Sequence, residues 1–249
     1  MAELGETVLK RAEKLVISSM KANDASHDAS HAFRVRDLAL SLAREEGLCS
    51  SPQTMRIIEL AALLHDIGDY KYVKDPSEER IVEKFLEEEG IEEDEKKRIL
   101  SIIKGMGFKE EVSQNAKNEY SLEFGVVQDA DRLDAIGAIV DYVTVSKRVN
   151  SILVSNALRI VERLLQFQTI STNTKNNVLH DPNIKPRLCI SKEDYVKKGE
   201  QTTINHFHEK LLKLKELMKT KAGYRRAEKR HKFMEDFLEE FYEEWAGRA

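Results

Sequence analysis

Three short segments bring together side chains able to bind a divalent cation: HDASHAFRV at 27–35, LLHDIGDYK at 63–71 and QDADRLDAIG at 128–137. The first offers His31, with Arg34 and Val35 three and four residues on, spacings that a helix places on neighbouring surface. The second offers His65-Asp66 at the end of a strongly apolar stretch. Successive helical residues point about 100° apart, so such a pair reaches one ion best at a helix terminus. The third offers Asp129, Asp131 and Asp134. In a helix, Asp131 and Asp134 share a face while Asp129 points largely away from both. These groups adjoin LAALL and AIGAIV, where a core is expected. Burying them singly is costly, and pairing or a bound cation relieves the cost. Two imidazoles and two carboxylates suit Mn²⁺, Fe²⁺, Co²⁺, Ni²⁺ or Zn²⁺ better than Ca²⁺. Open positions on such an ion could take water and a substrate oxygen, which metal-assisted hydrolysis requires.

Each segment also has a plainer reading. A lone helical histidine is commonly just hydrogen-bonded or exposed, and Asp131 could pair with Arg132 or Lys147. His180-Asp181 repeats the His-Asp dipeptide in a polar loop before Pro182, with no apolar helix beneath it, and reads as a surface turn. His206, His208 and His231 read as surface or packing residues.

The elements that must position these residues are helical. Val8, Leu9, Ala12, Leu15, Val16 and Met20 follow helical spacing over residues 5–22. The cap-rich stretch NDASHDAS precedes a second helix that runs to about Gly47. Ser51-Pro52 opens a third, with proline where its missing N–H does no harm. Further helices are expected at about 76–89, 93–104, 118–148 and 151–167. Residues 168–200 lose the periodicity and read as a long loop. Ile204, Phe207, Leu211, Leu214 and Met218 then repeat at heptad spacing. Met234, Phe237, Leu238, Phe241 and Trp245 follow after Gly223, so two helices around Gly223 are expected to form a hairpin. The stripe could also serve a homodimer seam, although two heptads fall short of a coiled-coil signature. Alternating strand-like runs are nearly absent, and the fold class expected is all-α.

Composition narrows the function classes. In 249 residues there are 2 cysteines, Cys49 and Cys189, too few for a disulfide framework or a Cys-based zinc site. No apolar run approaches the roughly 20 residues that cross a bilayer. The N-terminal MAELGETVLK lacks an apolar signal-peptide region, so a cytoplasmic protein is expected. A net charge of −4, from 40 basic and 44 acidic residues, gives no global drive toward nucleic acid or membrane. The basic run at 210–232 is the one local exception, and its apolar stripe favours a solvated helix face over a nucleic-acid tract.

Taken together, His31-x-x-Arg34-Val35, His65-Asp66 ending an apolar helix, and Ala130-Asp131-Arg132-Leu133 resemble the HD-domain metal-dependent phosphohydrolase superfamily. The resemblance covers about 24–145. HDASHAFRV, LAALLHDIGD, QDADRLDAIGAI, HDPNIKPR and TTINHFHEKLLKLKELM resemble more closely a small single-domain branch, in which at least one bacterial member is a nucleoside triphosphate pyrophosphohydrolase. This resemblance implies an HD-domain helical bundle with additional C-terminal helices. It divides the chain into an N-terminal helix at 1–23, the HD domain at 24–145, an atypical helix and loop at 146–200, and the C-terminal hairpin at 201–249.

The resemblance implies metal ligands His31, His65, Asp66 and Asp131, with manganese preferred over Fe, Co, Ni or Zn. Asp131 is preferred to its rival Asp129 because the family pattern places the ligand just before an x-Leu step. His27 is a candidate supporting neighbour. Asp69 is the candidate catalytic group that accepts or orients the water proton. Alarmone-hydrolysing relatives carry a second acid beside that position, where this chain has Tyr70, which weakens an alarmone substrate. Arg34 is a further candidate catalytic residue; its alternative is an ion pair with Asp37 or Glu59. Lys71, Lys104, Lys109 and Arg132 are candidates for balancing substrate phosphate.

The function implied is hydrolysis of a phosphorylated small molecule, with a nucleotide as the expected substrate. One departure motivates an alternative. The 140–178 segment is longer than in that branch and lacks its glycines, though Ile152, Leu153, Leu158, Val161, Leu164 and Leu165 keep helical spacing. A catalytically silent HD-fold regulator or scaffold is therefore the second reading. Two-iron oxygenation, which some HD proteins perform, needs further histidines between the HD pair and the last aspartate. This chain has none between His65 and His180.

Overall fold

The computed structural model describes residues 2–20, 28–67, 80–106, 120–137, 178–187 and 202–248. Among these, the chain is helical: α1 (Ala2–Ser19), α2 (Ala29–Glu45), α3 (Pro52–Leu64), α4 (Ile81–Glu88), α5 (Glu93–Gly105), α6 (Leu122–Asp134), α7 (Thr203–Glu209) and α8 (Lys221–Trp245). A short 3₁₀ turn, Leu48–Ser50, precedes α3, and a longer one, Leu211–Leu217, links α7 to α8. The one β-type pairing among these residues is an isolated parallel bridge between Val178 and Thr202. No described helix is long and apolar enough to cross a membrane.

The bundle is built around α3. Its Ile57, Ile58, Leu60, Ala61, Ala62, Leu63 and Leu64 are all buried, so the helix is apolar on nearly every side and must be surrounded. It packs against α1, α2, α5 and α6, and α6 in turn packs against α2, α5 and α8. Helices α2, α3 and α6 carry the three chemistry-bearing segments, and the core brings them together.

Caps fix where these helices begin. The Asp28 carboxylate accepts from His31 N at 2.9 Å and starts α2. Ser51 Oγ accepts from Thr54 N at 3.2 Å, with Pro52 as the first residue of α3. Ser121 Oγ accepts from Phe124 N at 3.2 Å and starts α6. Removing such a cap typically costs about 1 kcal/mol. Ser51→Ala is therefore expected to lower the urea midpoint by about that free energy with an unchanged m-value, because only the first turn of α3 loses a partner.

Three expectations need correction. The helix expected over 118–148 ends at Asp134. Ile136 N turns back to Leu133 O at 3.2 Å, and Gly137 adopts φ +91°, which no ordinary helix continues. Arg230 of α8 also donates to Leu133 O, supplying a donor to a carbonyl at the helix end. Second, the apolar stripe from 204 to 218 is not one helix. It breaks after Glu209 into a 3₁₀ turn, where Leu211, Leu214 and Leu217 recur at the three-residue period of that conformation. Third, the reversal before α8 lies just ahead of Lys221, not at Gly223. Thr220 Oγ1 accepts from Gly223 N at 2.9 Å, so Gly223 sits inside the first turn of α8. The helix expected at 151–167 and the 140–178 departure lie almost wholly outside the described residues.

The HDPNIKPR segment docks on α7. The buried Glu209 carboxylate accepts from Arg187 N at 2.8 Å and from Arg187 Nη2 at 3.0 Å. Asn205 Nδ2 donates to Ile184 O at 2.7 Å. Asp181 does form a turn, accepting from Asn183 N at 2.8 Å. His180 differs from the surface reading: it is half-buried, edge-on to Phe241, Tyr242 and Trp245 at centroid distances of 5.7, 5.6 and 5.0 Å. Much of the basic run is engaged with acids or α2. Arg225 lies 3.0 Å from Glu45, Arg226 pairs with Glu45 and Ser41, and Lys232 pairs with Asp236.

Candidate metal centre

The end of α3 presents His65 and Asp66, α2 presents His31, and α6 presents Asp131. His31 Nε2 lies 3.4 Å from Asp66 Oδ2 and 3.5 Å from Asp131 Oδ1. His65 Nε2 lies 3.4 Å from Asp66 Oδ1 and 3.7 Å from Asp131 Oδ1. One donor atom each from His31, His65 and Asp131 falls within 4.8 Å of the others, a set that could hold a metal ion. Asp66 reaches across, with one oxygen toward each imidazole.

These separations are informative. They exceed the roughly 2.7–3.2 Å of an ordinary hydrogen bond. Two donors each about 2.1 Å from one ion stand about 3.0 Å apart at a right angle and about 3.4 Å apart at a tetrahedral angle. The spacing therefore fits donors directed at a common cation rather than at one another. His65 Nε2 and Asp66 Oδ2 are buried without a hydrogen-bond partner among the described residues. Orphaned polar atoms at such depth are costly, and an ion would satisfy both.

The far side of each imidazole settles its tautomer. His65 Nδ1 lies 2.9 Å from Ala62 O, and His31 Nδ1 lies 2.8 Å from Asp134 Oδ2. A carbonyl and a carboxylate only accept, so both Nδ1 atoms carry hydrogen and both Nε2 atoms can offer a lone pair. Asp134 is itself held by Arg34, whose Nε donates to Oδ1 and Nη2 to Oδ2, each at 2.8 Å.

The charge balance points the same way. Asp134 is matched by Arg34, which leaves Asp66 and Asp131 facing two imidazoles. With neutral imidazoles that pocket carries about two negative charges, the complement of a divalent cation. Burial opposes the charged form of His31, but Asp131, Asp134 and Asp66 outweigh it and push the imidazole up to about 12. Burial likewise opposes ionisation of Asp131, yet His31 and His65 hold it well below the usual carboxylate range. Without an ion, the pocket recruits protons as its positive charge.

The HD domain family matches residues 28–136, the stretch that supplies all four donors. The crystal structure of an HD-superfamily hydrolase from Bacillus thuringiensis aligns at 32% identity, with TM-score 0.64, over 97% of this chain and 98% of that one. The chain belongs to the HD superfamily. A crystal structure from Lactobacillus plantarum aligns at 29% identity and TM-score 0.72, covering 97% of this chain and 98% of that one. The Bacillus subtilis protein YpgQ is 29% identical over 246 residues, 96% of each chain. Its crystal structure in complex with ADP aligns at TM-score 0.60 and 25% identity, covering 97% of this chain and 96% of that one.

Within this HD domain the remaining candidate residues fall into distinct groups. Asp129 faces away from the imidazoles, so Asp131 is the aspartate beside them. The Asp129 carboxylate accepts from Lys219 N and Thr220 N at 2.8 Å each and from Thr220 Oγ1 at 2.7 Å, tying α6 to the start of α8. Arg34 pairs with neither Asp37 nor Glu59. Its guanidinium is taken up by Asp134, the carboxylate that also meets His31 Nδ1. Arg132 lies inside the bundle. It is 5% exposed, donates to Leu217 O, and burial pulls it down to about 10. Lys104 is exposed in the last turn of α5, where a cation suits the helix dipole. Asp69, Lys71, Lys109 and His27 lie outside the described residues. Asp134 is the residue that sequence reasoning left without a role. Its signal was the shared helical face with Asp131, three residues apart.

Proposed function

We propose that this HD-superfamily chain is a metal-dependent phosphohydrolase acting on a nucleotide. The observation that carries the reading is the convergence of His31, His65, Asp66 and Asp131, with two buried donor atoms that lack a hydrogen-bond partner among the described residues. His31, His65, Asp66 and Asp131 would hold a divalent ion, with manganese preferred, which would supply water of lowered pKa and polarise a phosphoryl oxygen. The chain's own residues then hold and orient. Ala62 O and Asp134 fix the two imidazoles, and Arg34 fixes Asp134. Asp69, four residues past His65, is the proposed group that accepts or orients the water proton. Lys71, Lys104 and Lys109 are the proposed counter-charges for phosphate. The ADP held by YpgQ supports a nucleotide as the substrate class.

The test is a nucleotide panel in Mn²⁺, Co²⁺, Ni²⁺, Zn²⁺ and Mg²⁺, with orthophosphate and pyrophosphate measured separately. Pyrophosphate release from a triphosphate marks cleavage between the α and β phosphorus atoms, and orthophosphate release marks terminal cleavage. We expect release from at least one nucleotide, abolished by chelator and restored by Mn²⁺. The altered 140–178 segment favours one rival, a silent regulator. Bound metal with no turnover on any phosphate compound would support that reading instead.

A further inference from the structure

We infer that Asp134, clamped by Arg34, is the positioning residue that aims His31 at the metal. Two i,i+3 pairs interlock to do this. On α2, His31 and Arg34 reach the same carboxylate. On α6, Asp134 takes both of them while Asp131 faces the imidazoles. Each helix thus contributes one donor and one support. Asp134 Oδ2 lies 2.8 Å from His31 Nδ1, and the carboxylate receives Arg34 Nε and Nη2 at 2.8 Å each. The Asp134 side chain is only 4% exposed, against 33% for Arg34, so water offers it little substitute for these partners.

The chemistry gives each member a task. The carboxylate keeps hydrogen on Nδ1, which leaves the Nε2 lone pair outward, and it raises the basicity of the ring. The bidentate guanidinium holds the carboxylate plane, so the ring angle is set from α2 by both ends of one turn. A lysine at position 34 could supply charge but not the fork. Supports of this kind typically account for about 10–100-fold in metal affinity.

This inference rests on the metal-centre reading, and the test separates the two. Mn²⁺ binding to the full chain would be followed by electron paramagnetic resonance of the free ion, with far-UV circular dichroism to confirm folding. Asp134→Ala is expected to weaken Mn²⁺ binding about 10–100-fold. Asp134→Asn, which retains an oxygen able to accept from Nδ1–H, is expected to lose less, and Arg34→Lys to fall between Asp134→Asn and wild type. Glu95→Ala is the control. It removes another buried carboxylate, the partner of Arg56, and should lower thermal stability while leaving Mn²⁺ affinity within about threefold, since the contacts described above for His31, His65, Asp66, Asp131 and Asp134 involve neither Glu95 nor Arg56. Wild-type affinity in Asp134→Ala, or an equal loss in Glu95→Ala, would overturn the positioning role. Failure of the wild-type chain to bind Mn²⁺ would overturn the metal reading itself, and the inference with it.

Discussion

His65→Ala is expected to abolish metal-dependent phosphate or pyrophosphate release, a loss beyond about 1,000-fold. Outer supports of a metal site account for about 10–100-fold, and a direct donor accounts for more. His65 is a demanding position. Its side chain is 2% exposed, its Nδ1 is spent on Ala62 O, and its Nε2 faces Asp66 and Asp131. Alanine removes the donor and leaves the half-buried carboxylates of Asp66 and Asp131 with one imidazole fewer. Because that also opens a cavity, Asp66→Asn and Asp131→Asn serve as near-isosteric companions. All three should lose activity together while circular dichroism stays helical. Turnover near wild type in any of them would contradict their assignment as ligands.

The largest expected effect on stability comes from adding one methyl group. A Cβ at position 223 would stand 2.2 Å from Asp129 Oδ2 and 2.8 Å from its Cγ. That carboxylate cannot yield cheaply, because it is fully buried and accepts three hydrogen bonds at the N-terminus of α8. Alanine raises helix propensity by about 1 kcal/mol over glycine. Against this stand overpacking, about 1–3 kcal/mol, and weakened bonds to an ionised acceptor, about 1.5–3 kcal/mol each. Gly223→Ala is therefore expected to destabilise the chain by about 2–4 kcal/mol in urea unfolding. In an Asp129→Ala background the same substitution should become neutral or stabilising by up to about 1 kcal/mol, the propensity term alone. No change of sign between the two backgrounds would refute the clash.

The same two residues show what the sequence could and could not reveal. Helical spacing placed α2, α3 and α5 within a few residues, because an amphipathic or wholly apolar helix writes its partner faces into its period. It also turned Asp129 away from Asp131, as the structure does. Spacing could not supply what Asp129 meets at the far end of the chain, so Gly223 read as a turn when it is a place of close approach. The end of α6 was missed for a similar reason: Arg230, nearly a hundred positions away, helps cap it. The proposed ligand set came from the family resemblance, and the cost of unpartnered polar groups beside apolar runs gave it physical support. The role of Arg34 was not legible, because its partner Asp134 lies 100 residues away in sequence and nearer acids offered themselves.

The central claim is that His31, His65, Asp66 and Asp131 together hold one divalent ion. Calorimetric titration of the metal-free full chain with Mn²⁺ tests it most directly, with elemental analysis after desalting as the stoichiometric check. The expected result is one ion per chain in the wild type and none retained by Asp131→Ala. No binding by the wild type, or the same stoichiometry and affinity in Asp131→Ala, would contradict it.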